Sequence, residues 1–169
     1  FSNTTYMTID LTSTYMEFNS LLTNSNQVSD LGFANTKSRL RMVTLYQVAA
    51  AQSGIVVGTG NKVEDFGVGF YTKYGDGGVD ISPIADLMKS EVVSLASSLG
   101  IDRRILQAPP TDGLWDDDRT DEAQLGLSYS DLEDAMENKS SINRPKYSQI
   151  RQLNLHKMEP IPVCKMPKS

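Results

Sequence analysis

Apolar and polar positions alternate over residues 5–11 (TYMTIDL), the period of a half-buried strand. The period then changes: from Ser13 onward, Tyr15, Phe18, Leu21 and Leu22 fall on one helical face. Residues 24–35 are polar and read as a loop. Residues 36–53 carry the clearest helical pattern, through Leu40, Val43, Tyr46, Val48, Ala50 and Ala51, with Gly54 placed to end it as a left-handed cap. Residues 55–58 (IVVG) form a short apolar run suited to a buried strand, and residues 88–99 return to helical spacing at Val92, Leu95, Ala96 and Leu99, with Gly100 just beyond. Ser130-Asp131-Leu132-Glu133 reads as a capping box for a short helix, and Pro145 suits the first turn of another that runs to about Leu155.

A strand, a helix and a strand in that order predict a parallel pair and an α/β fold. Two strands are few, because parallel sheets are buried on both faces and commonly hold about four to six. The chain also opens on Phe1 and enters the first predicted strand almost at once. The expected architecture is therefore a partial Rossmann-like parallel sheet flanked by helices, incomplete at its N-terminus.

Composition narrows the function classes. At 169 residues and 39% hydrophobic content the chain is sized for one domain with a core. Lys and Arg number 16 against 21 Asp and Glu, a net charge of -5, which argues against a broad nucleic-acid or anionic-membrane surface. No run approaches the roughly 18 apolar residues of a membrane span, and no basic-then-apolar leader opens the chain, so a cytoplasmic protein is expected. The single cysteine, Cys164, can form no internal disulfide, and one histidine leaves no zinc cluster.

The candidate chemistry lies between residues 58 and 80 (GTGNKVEDFGVGFYTKYGDGGVD), which hold seven of the twelve glycines. Ligands in open α/β sheets lie at the carboxyl ends of strands, and small residues after residues 55–58 let backbone N–H groups and the Thr59 hydroxyl approach one closely. A plain strand-to-helix turn accounts for the same glycines. Glu64 and Asp65 offer oxygen donors of the kind Mg²⁺ takes beside phosphate, although acids at a helix start are also common for electrostatic reasons. Lys73 to Asp80 is a glycine-rich turn bracketed by a cation and an anion. Neither G-x-x-x-x-G-K-[ST] nor G-x-G-x-x-G occurs, and the lone His156 has no serine or cysteine elbow to form a hydrolase triad.

SRLRM at residues 38–42, the run from Gly58 to Val92, PPTDGLW at 109–115, TDEAQLGLSY at 120–129 and His156-Lys157 together resemble the C-terminal two-thirds of ammonia-dependent NAD synthetase. The long ordered run through KYGDGGVD carries most of the resemblance. It implies an adenine nucleotide alpha-hydrolase-like fold of the N-type ATP pyrophosphatase group, a homodimer, and residues 1–169 as the C-terminal portion of one synthetase domain. It also implies adenylation of deamido-NAD by ATP with Mg²⁺, followed by displacement of AMP by ammonia to give NAD.

Position by position, the resemblance implies ATP contacts from Thr59, Lys89 and Thr111. It implies deamido-NAD contacts from Arg39, Lys73, Asp80, His156 and Lys157. The metal falls to Glu64, or to Asp65, because the spacing from Glu64 to Lys73 is one residue longer than the family's pattern. The family's Ser-Gly-Gly-x-Asp-Ser loop does not occur in these residues, which leaves a non-catalytic nucleotide-binding or dimerisation module as the alternative. The glutamine-using branch would need an amidase cysteine, a part that Cys164 in its proline-rich tail does not fit.

Overall fold

The computed structural model describes residues 3–166. Helix α1 (Thr12–Asn24) begins with the Thr12 N–H donating to Asp10 Oδ1 at 2.9 Å. Helix α2 spans Asp30–Ala51, so it starts inside the stretch expected to be a loop. Ser29 explains the difference: it sits in extended conformation and its Oγ accepts the Gly32 N–H at 3.2 Å, an N-cap hidden among other polar residues. The far end also departs from expectation. Ser53, at φ 53°, takes the left-handed position, and the Gly54 N–H closes the turn onto Ala49 O at 2.8 Å.

The sheet predicted from the sequence is reduced to one parallel bridge among the described residues, between Val57 and Ile81. Gly58 N–H donates to Ile81 O at 2.7 Å and Asp80 N–H to Val56 O at 2.9 Å. The partner of residues 55–58 is thus the end of the glycine-rich run and not residues 5–11, which form no strand. Alternation marks a half-buried strand only where a neighbouring strand exists; here Tyr6 is 96% exposed and Met7 65%.

Between the bridge partners lies a π-helix, Val63–Val68, ended by Gly69 at φ 66°. A π-turn holds one residue more than an α-turn.

Helix α3 (Lys89–Ser98) starts where the Met88 N–H donates to Glu91 Oε2 at 2.7 Å and stops before Gly100 at φ 73°. The short helices α4 (Arg103–Leu106) and α5 (Asp121–Leu125) are capped by Asp102 and Thr120. Helix α6 (Tyr129–Glu137) does carry a capping box, but Ser128 and Asp131 form it, two residues earlier than the one expected at Ser130 and Glu133. Glu133 instead accepts from the Ser90 N–H at 2.9 Å and Oγ at 2.7 Å, tying α6 to the start of α3. Helix α7 (Arg144–Met158) has Pro145 in its first turn and runs past Leu155.

The core forms where the π-helix meets α6 and α7. Val63, Val68, Leu132 and Ala135 are fully buried, with Met88, Leu125, Tyr129 and Tyr147 around them. Burying a side chain the size of Val63 or Leu132 contributes about 1.5–3 kcal/mol. A Cβ at Gly67 would come 2.7 Å from Met136 Sδ, and one at Gly69 2.7 Å from Asn154 Cβ, so both glycines set how closely α6 and α7 approach. Arg151 Nη1 donates to Gly67 O at 2.7 Å and also to Phe66 O, clamping the π-turn from α7.

Candidate functional site

The glycine-rich run wraps a cavity of about 410 Å³, opened between α2 and the Val57–Ile81 bridge. Ser38 and Arg41 of α2, Thr59, Thr72, Asp76 and Trp115 contribute to its wall. A smaller cavity of about 210 Å³ adjoins it, with Gly58, Tyr71, Asp76 and Lys157 lining both. At Gly58 an added Cβ would stand 2.9 Å from Val79 Cγ2 and 3.2 Å from Ile81 O, so the bridge requires glycine there.

The KYGDGG turn is anchored to α2 by short polar side chains. Asp76 Oδ1 accepts Ser38 Oγ at 2.7 Å and the Thr72 N–H at 3.0 Å, while the Asp76 N–H donates back to Ser38 Oγ at 2.9 Å. Thr72 Oγ1 donates to Asn35 Oδ1 at 2.7 Å. A Cβ on Gly75 would lie 2.2 Å from Ser38 Oγ, so this clasp depends on glycine.

The residues expected to meet the dinucleotide fall into three settings. Arg39, Lys73 and His156 are joined: Arg39 Nε donates to Lys73 O at 3.3 Å and Lys73 Nζ to His156 O at 2.8 Å. Arg39 and His156 are exposed and Lys73 partly so, and α2, the glycine-rich turn and α7 bring the three together. Asp80 braces the bridge instead, its Oδ2 accepting the Val56 N–H at 2.7 Å and its Oδ1 the Tyr46 hydroxyl at 3.3 Å. Lys157 donates to Gly69 O at 3.0 Å and Tyr71 O at 2.8 Å, and Tyr71 OH returns a bond to Lys157 O at 2.6 Å. Burial holds the Lys157 amine below its usual range, opposed by the charge of Asp76.

The three residues expected at ATP separate in the same way. Thr59 follows the bridge and lines the larger cavity. Thr111 bonds within its own loop, donating from Oγ1 to Arg119 O at 3.2 Å and accepting the Gly113 N–H at 3.3 Å. Asp112, Leu114 and Trp115 of that loop, not Thr111, line the cavity, and Lys37 and Arg41 of α2 hold the loop through Leu114 O at 2.9 Å and Gly113 O at 3.1 Å.

Lys89 belongs to a third group. Its Nζ lies 3.1 Å from Glu64 Oε1 and 4.8 Å from the centre of the Tyr129 ring.

The acidic pair diverges. Glu64 turns toward α3 and α6, where Oε1 also accepts Tyr129 OH at 2.5 Å. Asp65 turns the other way, against the backbone of Gly60, where a Cβ would meet its Oδ1 at 2.2 Å, and it lines the smaller cavity. Burial, then the charges of Glu64 and Asp76, push the Asp65 carboxyl up to about 6. The two acids offer oxygen donors of the kind Mg²⁺ takes beside phosphate and water, and among the described residues no group of three or more metal-ligating side chains is assembled around them.

Sequence reasoning did not single out Ser38, Asp76, Asp121 or Tyr129. Asp76 lay inside KYGDGG, and Asp121 and Tyr129 of the TDEAQLGLSY run gave no periodic signal; only long-range pairing identifies their roles. Among the described residues no helix is long and apolar enough to cross a membrane.

Comparison with known proteins accounts for this arrangement. A family model described as NAD synthase matches residues 2–169. The NH(3)-dependent NAD(+) synthetase of Archaeoglobus fulgidus is 42% identical over 144 residues, covering 82% of this chain and 58% of the relative. That of Syntrophomonas wolfei is 44% identical over 135 residues, covering 78% and 53%. The chain therefore spans little more than half the length of these curated relatives. Among solved structures, an NMN synthetase from Francisella tularensis superposes with a TM-score of 0.87 at 31% identity, over 97% of this chain and 68% of that one. An NAD+ synthetase from Burkholderia pseudomallei superposes with a TM-score of 0.67 at 28% identity, over 88% and 58%. The glycine-rich cleft, the acidic pair beside it and the helices that hold them are those of a chain that belongs to the NAD synthase family.

Proposed function

We propose that the chain supplies part of a site that joins ammonia to a nicotinate carboxylate at the expense of ATP, converting deamido-NAD to NAD. The observation that carries this reading is the pair of adjoining cavities, with Thr59 on one wall and Asp65 and Asp76 facing the smaller space, in a chain of this family. In the first step the carboxylate oxygen attacks the α-phosphorus of ATP and the bond to pyrophosphate breaks. In the second, ammonia attacks the acyl carbon, the bond to AMP breaks, and the nitrogen gives up a proton to solvent.

The residues of this chain bind and orient. Thr59 offers a hydroxyl at the end of the bridge, and Lys89 an ammonium that offsets charge on the leaving pyrophosphate. Arg39 and Lys73 offer a cationic edge for the dinucleotide, with a guanidinium fork suited to phosphate, and His156 stands beside them. Asp80 and Lys157 act through the backbone they brace, and Thr111 through the loop that ends at Trp115. Mg²⁺ would be held by Glu64 or Asp65, and when bound it neutralises charge on the polyphosphate. A homodimer in the cytoplasm fits the acidic composition and the apolar side chains left exposed on α1 and α2, such as Met16, Leu21, Val43 and Leu45.

A second substrate reading rests on one observation: the likeness to an NMN synthetase extends over nearly all of the chain. Nicotinate mononucleotide would then be amidated by the same chemistry. The test offers ATP, Mg²⁺ and ammonium with either deamido-NAD or nicotinate mononucleotide, using the chain and any longer polypeptide that contains it. Formation of NAD with stoichiometric AMP and pyrophosphate is expected; NMN formation alone moves the assignment to the mononucleotide, and no amide from either substrate refutes the reading.

A further inference from the structure

Tyr129 presents a chemical problem. Its phenol oxygen lies 2.5 Å from Glu64 Oε1 and 3.1 Å from Asp121 Oδ2, yet a phenol has one proton to donate. The residue is 7% exposed and Asp121 6%, so the phenol and the Asp121 carboxyl meet away from bulk solvent. The short contact to Glu64, which also carries Lys89 at 3.1 Å, is the charge-assisted one and takes the phenol proton. The hydroxyl is also shared with Asp121 Oδ2 at the longer distance, so the phenol oxygen is held between two carboxyls. Asp121 Oδ1 is buried with no hydrogen-bond partner, so this contact is the one that places its carboxyl. Burial, together with Glu64 and Asp112, also raises the Asp121 carboxyl, against the opposing effects of Tyr129 and Lys89.

We propose that Tyr129, held by Asp121, is a positioning residue for the Glu64–Lys89 pair, its phenol fixing the carboxylate and its ring seating the ammonium so that both keep one orientation toward the polyphosphate of ATP. This role rests on the proposed function. The Tyr129 hydroxyl donates to Glu64 Oε1 and, at longer range, to Asp121 Oδ2. Tyr129 stands at the start of α6 and Asp121 at the start of α5, so two helix ends converge on a lysine and a glutamate that lie on other elements.

The test compares the chain with Tyr129→Phe, Asp121→Ala and Asp121→Asn. Binding of ATP with Mg²⁺ is measured by calorimetry, and kcat and KM are measured for each substrate. Tyr129→Phe keeps the ring but loses the anchor, and is expected to weaken ATP binding about tenfold and raise the KM for ATP, leaving the KM for the nicotinate substrate unchanged. Asp121→Ala should match it, the two should not add when combined, and Asp121→Asn, whose amide oxygen can still accept the phenol hydroxyl, should restore wild-type binding. Wild-type ATP binding in Tyr129→Phe, or equal losses toward both substrates with a lowered Tm, overturns the positioning role. If Tyr129→Phe does not fold, the contrast between Asp121→Ala and Asp121→Asn decides on the same readouts. A wild type that binds no ATP, as the chain and as any longer polypeptide that contains it, sinks the functional reading and this role with it, whereas a wild type that binds beside an unaffected Tyr129→Phe sinks only the role.

Discussion

Replacing Asp65 with Asn tests the electrostatics of the π-turn directly. The Asp65 carboxyl is pushed up from 3.8 to about 6, by burial first and by Glu64 and Asp76 after it. The folded chain therefore holds this proton more tightly than the unfolded chain does. The associated stability is fully present below pH 3.8 and is lost as the pH rises through about 6. A rise of about two pH units corresponds to about 3 kcal/mol at about 1.4 kcal/mol per unit. The side chain is only half-buried, and solvent screening reduces the figure to about 1–2 kcal/mol. Asn has the same shape and no proton to lose, so Asp65→Asn should match the wild type near pH 4 and exceed it by about 1–2 kcal/mol near pH 8. Urea unfolding followed by circular dichroism, in EDTA and across that pH range, measures the difference. Parallel curves for the two proteins, or an Asn variant less stable at the alkaline end, would show that burial and like charge do not act on Asp65 as described.

Other consequences follow from the clasp, the bridge and the exposed helices. Gly75→Ala drives a methyl group into Ser38 Oγ and should lower stability by about 1–3 kcal/mol in the same unfolding assay; an unchanged midpoint would refute the close approach. Asp80→Ala leaves the Val56 N–H without its acceptor and should cost about 1–3 kcal/mol of stability while raising the KM for the nicotinate substrate; a kinetic defect at unchanged Tm would mean that Asp80 touches substrate rather than bracing the bridge. Sedimentation at micromolar concentration should give a dimer or larger species, and a compact stable monomer would refute burial of α1 and α2 against a second copy.

The helices were legible in the sequence because their signals are local. Periodic apolar positions located α1 and α3, Gly100 marked the end of α3, and Pro145 marked the start of α7. Local signals also misled where two candidates lay close together: Ser29 capped α2 from within a polar stretch, and Ser128 took the capping box from Ser130. Strand pairing is not local. Residues 5–11 have the right period and no neighbour, while the true partner of Val57 is Ile81, at the end of a run read as a loop. The same limit applied at the site. The glycine-rich run and its acids were visible as composition, but the split of Glu64 toward Tyr129 and of Asp65 toward Gly60 arises from the π-turn, and Tyr129 meets Glu64 across 65 positions of chain.

The central claim is that the site activates a carboxylate by adenylation, and isotope transfer tests it most directly. Deamido-NAD carrying ¹⁸O in both oxygens of its nicotinate carboxylate is turned over with ATP, Mg²⁺ and ammonia, and the phosphorus products are analysed by mass spectrometry. Attack of that carboxylate on the α-phosphorus predicts one ¹⁸O in each AMP formed and none in pyrophosphate. Label in inorganic phosphate with ADP as the nucleotide product, or AMP without label, would contradict the account.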